Sequence, residues 1–183
     1  TNATSFINAY NELRNSKRNI LIKEDYLKLA DIFYAVFHCL RRKFVKVPPL
    51  VENGVDLSPL VKEEMRSVSG ISSAIEGLLN FRFIMRLKQK GVKLRMVVDW
   101  WESQALDKGL HFALHQFYPD VPVTGYLGYA PRGMELQLFP SKYESENHVV
   151  PKTIGVIGDG FVEDIKRFNP DQHVVKAPAF RFQ

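Results

Sequence analysis

The sequence lacks several features that would place the chain in a specialised class of protein. A single cysteine, Cys39, excludes an intramolecular disulfide and is typical of a reducing compartment. Charged residues interrupt every apolar stretch well short of the roughly 18–20 residues that a membrane-spanning helix needs. Residues 1–23 are polar and contain no apolar signal-peptide core. These absences predict a globular cytoplasmic protein.

Familiar catalytic and cofactor motifs are also missing. There is no nucleophile elbow and no Ser-His-Asp order. His111 and His115 are four residues apart, as zinc ligands can be, but no clear third ligand accompanies them. The glycine-rich segment 155–161 matches neither the dinucleotide fingerprint nor the P-loop, and Asp159 would repel a phosphate. We therefore predict no metal and no cofactor, and we interpret segment 155–161 as a turn.

The charge balance is basic, with a formal net charge of +5 and a pI of about 9.3. The excess is concentrated in segments 41–46 and 81–90. One interpretation is that these are the solvated faces of two helices. The alternative is contact with an anionic partner, such as a membrane surface or an acidic glycan. No nucleic-acid-binding motif accompanies the charge, so we predict no nucleic-acid partner.

The spacing of apolar residues divides the chain into a helical half and an alternating half. Helical periodicity predicts helices over 24–46, 58–68 and 72–90, with Ser58 as the N-cap of the second. After residue 91 the pattern alternates between strands and helices, predicted as strands at 94–98, 121–126, 135–139, 153–157 and 173–177 and helices at 105–117 and 160–168.

This alternation predicts an α/β fold with a mainly parallel sheet covered by helices on both faces, a three-layer arrangement. Region 1–91 is expected to pack on the sheet that region 92–183 forms. The chain begins at Thr1 and stops directly after a predicted strand, so we expect it to be a piece of a longer protein.

The stretch 94–129 is the one around which the rest of the chain is organised. In parallel α/β sheets, ligands bind beyond the carboxyl ends of the strands. Glu102 follows the first strand of this stretch, and Gln104 and Lys108 lie one turn apart on the next helix. Glu102 is either a ligand-binding or catalytic carboxylate, or a favourable charge at a helix N-terminus with Ser103 as the N-cap.

Aromatic and glycine residues accompany these polar groups. Trp100 and Trp101 point to opposite faces if the chain is extended, so one can pack in the core while the other contacts a sugar ring; both could also be core residues. The segment with Tyr126, Gly128 and Tyr129 is either a ligand-binding loop that offers hydroxyl groups or a tight turn with packed tyrosines.

Several short motifs occur in an order that resembles a bacterial protein family. They are Val97-Val98-Asp99-Trp100-Trp101-Glu102-Ser103-Gln104 with Asp107-Lys108-Gly109, Gly125-Tyr126-Leu127-Gly128-Tyr129, Phe139-Pro140-Ser141 with Glu144, Val150-Pro151-Lys152-Thr153-Ile154-Gly155-Val156-Ile157-Gly158, and Ala177-Pro178-Ala179-Phe180-Arg181. Residues 92–183 thereby resemble bacterial surface-carbohydrate biosynthesis proteins. These are glycosyltransferase-like proteins of the GT-B type, with two Rossmann-like domains, similar to the glycosyltransferases of capsule and lipopolysaccharide synthesis.

The resemblance implies that the chain is the acceptor-side domain of a glycosyltransferase, at the inner face of the plasma membrane. A nucleotide-sugar donor would bind a second domain, and the acceptor would be a surface glycan. Glu102 is implied as the catalytic base or acceptor ligand, and the implied binding residues are Trp101, Gln104, Lys108, Tyr126, Gly128, Tyr129 and Arg181. The family usually has Glu-Asn-Gln where this chain has Glu102-Ser103-Gln104, which leaves the middle residue without an implied role. The alternative is a non-catalytic carbohydrate-binding or assembly module.

Overall fold

A computed structural model describes residues 3–67, 70–129 and 138–180 of the chain. The helices are α1 Ala3–Asn15, α2 Leu29–Val36, α3 His38–Arg41, α4 Ser58–Arg66, α5 Ile71–Gln89, α6 Ala105–Phe117, α7 Lys142–Glu146 and α8 Gly160–Phe168. The strands are β1 Val51–Glu52, β2 Val55–Asp56, β3 Val97–Trp100, β4 Val123–Leu127, β5 Thr153–Val156 and β6 His173–Lys176. Short 3-10 turns lie at Lys23–Asp25 and Arg42–Phe44.

Within the described ranges, four parallel strands form the main sheet in the order β3-β4-β5-β6, and β1 and β2 form a separate small hairpin. In the register of the main sheet, Trp100 pairs with Tyr126 and Tyr126 pairs with Gly155. The predicted α/β class is therefore confirmed, and the sheet is consistent with a Rossmann-like fold.

The two faces of the sheet differ in how well they are covered. Leu127, Ile154 and Val156 are buried on one face with Ile165 of α8. On the same face, Val123 packs with α5 and α6. The opposite face is more open, because Val98 and Trp100 on edge strand β3 are 60% and 43% exposed. This differs from the predicted coverage of both faces, because the helices of the two core clusters lie on one face.

The helical first half attaches to the α/β half through a close crossing of α5 and α6. A Cβ atom at Gly77 would lie 2.6 Å from the carbonyl oxygen of Ala105, and one at Gly109 would overlap the carbonyl oxygen of Gly77. Farther along the pair, Ile84 and Leu87 of α5 pack against Leu114 of α6. The two glycines therefore let the helix backbones touch, and the longer apolar side chains fill the space where the helices diverge.

The predicted helix over 24–46 is wrong as a continuous element, since α2, α3 and two 3-10 turns occupy that segment. Helix α2 begins at Leu29 rather than at the predicted residue 24. It begins there because the carboxylate of Asp31 accepts a hydrogen bond from the backbone N–H of Lys28 and so caps the helix. Arg86 of α5 donates two hydrogen bonds to the same carboxylate, at 2.8 and 2.9 Å. Burial by itself would raise the pKa of Asp31, but the hydrogen bonds from Arg86 and Lys28 lower it below its usual value.

This ion pair also reverses the expected orientation of α2. Asp31 and Ala35 are fully buried toward the protein. An apolar stripe, spaced three and four residues apart as on one face of a helix, therefore faces outward, and its members are Leu29, Ile32, Phe33 and Val36. Apolar periodicity alone would turn Leu29, Phe33 and Val36 inward, because such a pattern contains no information about a buried carboxylate that pairs with an arginine on another helix.

The remaining predicted elements match the structure closely. Helices α6 and α8 have the predicted bounds, and α4 and α5 begin and end within two residues of theirs. The predicted N-cap Ser58 is instead the first residue of α4, and its hydroxyl accepts a hydrogen bond from Leu50 N–H. Strand β3 is shifted, so that Asp99 and Trp100 belong to the strand rather than to the loop after it.

Two predicted segments have other outcomes. Most of the predicted strand at 135–139 lies outside the described residues, and the segment 140–150, for which no helix or strand was predicted, contains α7. No helix among the described residues is both long and apolar enough to cross a membrane.

The glycine contact between α5 and α6 gives a testable expectation. Gly109→Ala should lower the free energy of unfolding by about 1–3 kcal/mol, because a methyl group there overlaps the backbone of α5. Gly160→Ala is the matched control, since nothing lies within 4 Å of the added Cβ. Urea unfolding of both variants measures the difference, and equal stability of the two would contradict this account of the crossing.

Candidate functional site

Adjacent tryptophans at the end of β3 take opposite orientations. Trp101 is fully buried in the core, and its backbone N–H donates to the carbonyl of Tyr126 at 3.1 Å, extending the β3–β4 ladder by one residue. Trp100 points to the open face of the sheet and is 43% exposed. The expectation of one core and one surface tryptophan is met, but the surface residue is Trp100. Trp101, the predicted binding residue, is sealed from solvent.

The carboxylate of Glu102 is held between two donors at the carboxyl edge of the sheet. Its Oε1 accepts a hydrogen bond from the indole Nε1 of Trp100 at 2.9 Å. Its Oε2 accepts one from the amide Nε2 of Gln104 at 2.7 Å. Each carboxylate oxygen has a second lone pair, so Glu102 can still accept a hydrogen bond from a ligand.

Asp107 fixes the loop that carries these groups. Its Oδ2 accepts hydrogen bonds from the backbone N–H of Glu102 at 3.2 Å and of Gln104 at 2.9 Å, and Gln104 is the N-cap of α6. Ser103, the residue considered as the cap, is buried instead and has a left-handed backbone with φ of 56°. Burial raises the pKa of Asp107 above its usual value, although the two backbone donors oppose the shift.

The predicted glycine and tyrosine residues complete the same edge. The hydroxyl of Tyr126 donates to the carbonyl of Pro178 at 2.7 Å and accepts from Phe180 N–H at 3.3 Å. The Tyr126 ring lies edge-on to Trp100, with ring centroids 5.6 Å apart. A Cβ at Gly128 would overlap the indole of Trp100, so only glycine leaves room for that ring. The Tyr126 hydroxyl is therefore used to hold the chain after β6.

Three other predicted site residues lie elsewhere or cannot be placed. Lys108 forms an ion pair with Glu144 of α7, which lowers the pKa of Glu144 even though burial opposes the shift. Tyr129 is half-buried and packs against the core cluster that contains Trp101. Arg181 lies outside the described residues.

The structure thus brings five residues together at one edge, and we call this group the carboxyl rim. Trp100 is its centre, because it contacts both Glu102 and Tyr126. The members are Trp100, Glu102, Gln104, Tyr126 and Gly128. The strand order runs in one direction across the sheet, so the described strands contain no reversal of order of the kind that forms a ligand crevice in doubly wound folds. Any ligand here would be held by side chains on an open edge.

Sequence reasoning missed a cleft at the opposite, amino edge of the sheet. It has a volume of about 380 Å³ and is lined by α6, α7 and the segments that precede β5 and β6. The spacing of His111 and His115 was a signal for it. His148 and His173 also line it, but they are too far away in sequence to be joined to the first two by any spacing rule.

The other sequence candidates carry little chemistry in the structure. No group of three or more potential metal ligands occurs in the described ranges. In the glycine-rich turn before α8, Asp159 is the N-cap residue and its carboxylate pairs with Lys176 at 2.9 Å, so a carboxylate occupies the helix N-terminus where a phosphate would need to bind. The interpretation of this segment as a turn agrees with that arrangement.

The capping role of Asp107 can be tested with two substitutions. Asp107→Leu should lower the free energy of unfolding by about 1–3 kcal/mol, because two backbone N–H groups lose their acceptor. Asp107→Asn keeps an acceptor oxygen and should be nearly neutral at pH 7. Urea unfolding would measure both variants, and an equal effect of the two would contradict the capping role.

The raised pKa of Asp107 adds a dependence on pH. A raised pKa means that the folded state binds the proton more tightly than the unfolded state, so this contribution is present below the unfolded pKa of about 3.9 and is lost as pH rises through the folded value. The unmodified protein should therefore gain stability relative to Asp107→Asn as the pH is lowered. Urea unfolding of the two proteins at a series of pH values measures that difference.

No family model, curated protein or solved structure matches the chain. A function for the chain therefore rests on the chemistry of its own side chains.

Proposed function

We propose that the carboxyl rim binds a saccharide and that the chain is the acceptor-side domain of a glycosyltransferase. The observation that carries this proposal is the exposed indole of Trp100 beside the carboxylate of Glu102, with Gln104 completing the hydrogen bonds. An aromatic surface next to a carboxylate and an amide matches the two kinds of surface on a sugar, its C–H faces and its hydroxyl groups.

The geometry gives each rim residue a distinct task. The ring of Trp100 can pack on the apolar face of a sugar, while Glu102 accepts a hydrogen bond from one of its hydroxyl groups. Gln104 has an amide oxygen and a second N–H with which to orient a neighbouring hydroxyl. Tyr126 and Gly128 set the position of Trp100 and need not contact the sugar themselves.

Transfer would use Glu102 as the base. The acceptor hydroxyl would give its proton to Glu102, its oxygen would bond to the anomeric carbon of the donor, and the bond from that carbon to the nucleotide phosphate would break. Such catalysis depends on positioning the hydroxyl and removing its proton. The nucleotide-sugar would be supplied by a second domain, as the resemblance implies.

A carbohydrate-binding module without catalysis is the second candidate. The open rim favours it, because the described strands form no crevice that would exclude water from a reaction. The two candidates differ in their dependence on Glu102, since a binding module needs only a hydrogen-bond acceptor or donor at that position.

Acrylamide quenching of tryptophan fluorescence gives a direct test of saccharide binding. The chain has two tryptophans, and the buried one should be quenched weakly, so the quenchable signal reports Trp100. Uncharged hexose and hexosamine oligosaccharides should protect that signal. Trp100→Ala should weaken binding, measured by calorimetry, by about tenfold or more, because it removes the packing surface. Tyr143→Ala, at a 73% exposed residue of α7, is the control.

Glu102→Gln separates the two candidates. In the full-length protein, transfer from nucleotide-sugar donors should fall by about 10²–10⁴-fold if Glu102 is the base, while saccharide binding and folding change little. Full retention of transfer would remove Glu102 from the mechanism. Oligosaccharides that bind Trp100→Ala as well as the unmodified chain would overturn the rim as the binding site.

We further propose that the apolar stripe of α2 contacts an anionic membrane surface. Its exposed residues are followed by Phe37, Leu40 and Phe44, which are 52%, 51% and 83% exposed. Arg41, Arg42 and Lys43 lie among them in the sequence. Exposed apolar side chains next to basic ones suit the boundary between acyl chains and anionic headgroups.

Vesicle co-sedimentation tests this contact. The chain should bind phosphatidylglycerol vesicles more tightly than phosphatidylcholine vesicles, and Lys43→Glu should weaken that binding by roughly fivefold or more because it removes a basic charge. The double variant Phe33→Ser and Phe37→Ser should also reduce it, whereas Leu60→Ser on α4, at a 63% exposed residue, should not. Equal binding to both vesicle types, or concentration-dependent dimerisation without vesicle binding, would contradict the proposal.

A further inference from the structure

Four of the five histidines in the chain line the cleft at the amino edge of the sheet, which we call the histidine cleft. His111 and His115 lie on one face of α6, His148 follows α7, and His173 begins β6. Lys142 and Lys152 line the same cleft, as do Glu146 and Asp171. The two lysines and two carboxylates cancel in formal charge, so the imidazoles are the groups in the lining that remain to bind an anion.

His111 is a buried polar group whose hydrogen bonds are not made within the described part of the protein. It is 3% exposed, and neither ring nitrogen has a hydrogen-bond partner there. Its Nε2 lies 3.2 Å from Oδ2 of Asp99, within ion-pair distance, but the two groups are not aligned for a hydrogen bond. An unpaired buried polar group costs about 1–3 kcal/mol, so a ligand that supplied the missing hydrogen bond would stabilise the protein.

His115 and His148 stack on each other with ring centroids 3.5 Å apart and an angle of 17° between the rings. Burial is the main cause that lowers the pKa of His115, and the charges of His148 and Lys152 lower this pKa further. Two stacked imidazoles cannot both carry a positive charge at low cost unless an anion lies beside them. The stack is therefore an arrangement that an anion would stabilise.

Asn169 adds a buried hydrogen-bond acceptor to the same cleft. Its Nδ2 donates to Ser145 Oγ at 2.7 Å, and Ser145 Oγ donates to Gln172 Oε1 at 3.1 Å. Gln172 Nε2 donates in turn to the carbonyl of Pro151 at 3.0 Å, so the chain of donors fixes the orientation of the Asn169 amide. Its fully buried Oδ1 accepts no hydrogen bond from the described residues, which suits a ligand hydroxyl group.

From this constellation we propose that the histidine cleft binds a small phosphomonoester that carries hydroxyl groups. Imidazoles from three separate segments can donate to the several oxygens of a phosphate, while Asn169 Oδ1 accepts from a hydroxyl. The apolar side chains of Leu114, Val123 and Val150 line the remaining wall and suit the carbon skeleton of such a molecule. A volume of about 380 Å³ exceeds what a bare phosphate ion fills.

This site is separate from the carboxyl rim and goes beyond the proposed transfer reaction. The strands are parallel, so their amino ends and carboxyl ends lie at opposite edges of the sheet. Phosphomonoester binding at the histidine cleft and saccharide binding at the carboxyl rim can therefore be tested separately, and the loss of one does not imply the loss of the other.

Histidine side-chain NMR provides the test, with glycerol 3-phosphate as the probe. The Cε1–Hε1 resonances of His115 and His148 should shift saturably, while that of His38, which is outside the cleft, stays unchanged. Binding should be severalfold tighter at pH 6 than at pH 8, because a bound phosphate favours the protonated form of His115, although the cleft residues Glu146 and Asp171 reduce the gain. Sodium chloride of equal ionic strength and glycerol are controls that should produce no saturable shift.

Two variants make the result decisive. His148→Asn removes one imidazole and suits the left-handed backbone at this position, where φ is 57°. It should weaken glycerol 3-phosphate binding by about tenfold, whereas His38→Gln should leave it unchanged. Shifts that never saturate, shifts shared by His38, or full binding by His148→Asn would overturn the site. Inorganic phosphate that binds as tightly as glycerol 3-phosphate would refute the role given to Asn169.

The stacked pair also predicts how stability depends on pH. Because the pKa of His115 is lowered, its contribution to stability is present above the unfolded histidine pKa of about 6.5 and is lost as the pH falls through the lowered folded value. Glycerol 3-phosphate should therefore raise the thermal midpoint more at pH 6 than at pH 8. An equal increase at the two pH values would contradict an interaction with the imidazoles.

Discussion

The alternation of Trp100 and Trp101 at the end of β3 is the constraint on which the carboxyl rim depends. Trp101 is anchored by a backbone hydrogen bond to Tyr126 and by complete burial in the core. Gly125 makes this possible, since a Cβ there would lie 2.9 Å from Cβ of Trp101. With Trp101 fixed inward, the period of two along a strand turns Trp100 outward, next to Glu102. If the register of β3 shifted by one residue, Trp100 would face the core and Trp101 would face outward. The residues of the carboxyl rim would then no longer lie together.

The same sheet has two edges with different chemistry. At the carboxyl edge, an exposed aromatic ring and a hydrogen-bonded carboxylate form an open surface suited to a neutral ligand with hydroxyl groups. At the amino edge, four imidazoles and the unpaired amide oxygen of Asn169 form a recessed cleft suited to an anion. Helix α6 contributes to both edges. Asp107, in its first turn, fixes the loop that carries the carboxyl rim, and His111, in its middle, lines the histidine cleft.

The helical half is organised by one buried ion pair and one backbone contact. Arg86 holds Asp31 against α5, and Gly77 and Gly109 bring α5 against α6. Burying a carboxylate is costly unless it is paired, so the position of Arg86 determines which face of α2 turns inward. The consequence is an outward apolar stripe, which is the basis for the proposed membrane contact.

The sequence predicted elements well where local signals agree. Helices α6 and α8 have clear apolar periodicity, and both lie where the sequence placed them. The prediction was wrong over 24–46, where the decisive interaction joins Asp31 to a residue 55 positions away. The rim was predicted in part: Glu102, Gln104, Tyr126 and Gly128 do lie together, because they are at the carboxyl ends of neighbouring parallel strands. The sequence did not determine which of the two tryptophans is buried, since either side chain could have faced the core.

What the sequence determined by itself is the class of the fold, the alternation of strands and helices after residue 91, and the presence of polar and aromatic groups beyond the strand ends. These follow from local periodicity and from the geometry common to all parallel sheets. Only the tertiary structure decided which indole is exposed, that Lys108 is paired with Glu144, and that four histidines share one cleft. Those outcomes depend on contacts between residues that are distant in the chain. The free energy of burying and pairing such residues cannot be read from the spacing of apolar residues along a short segment.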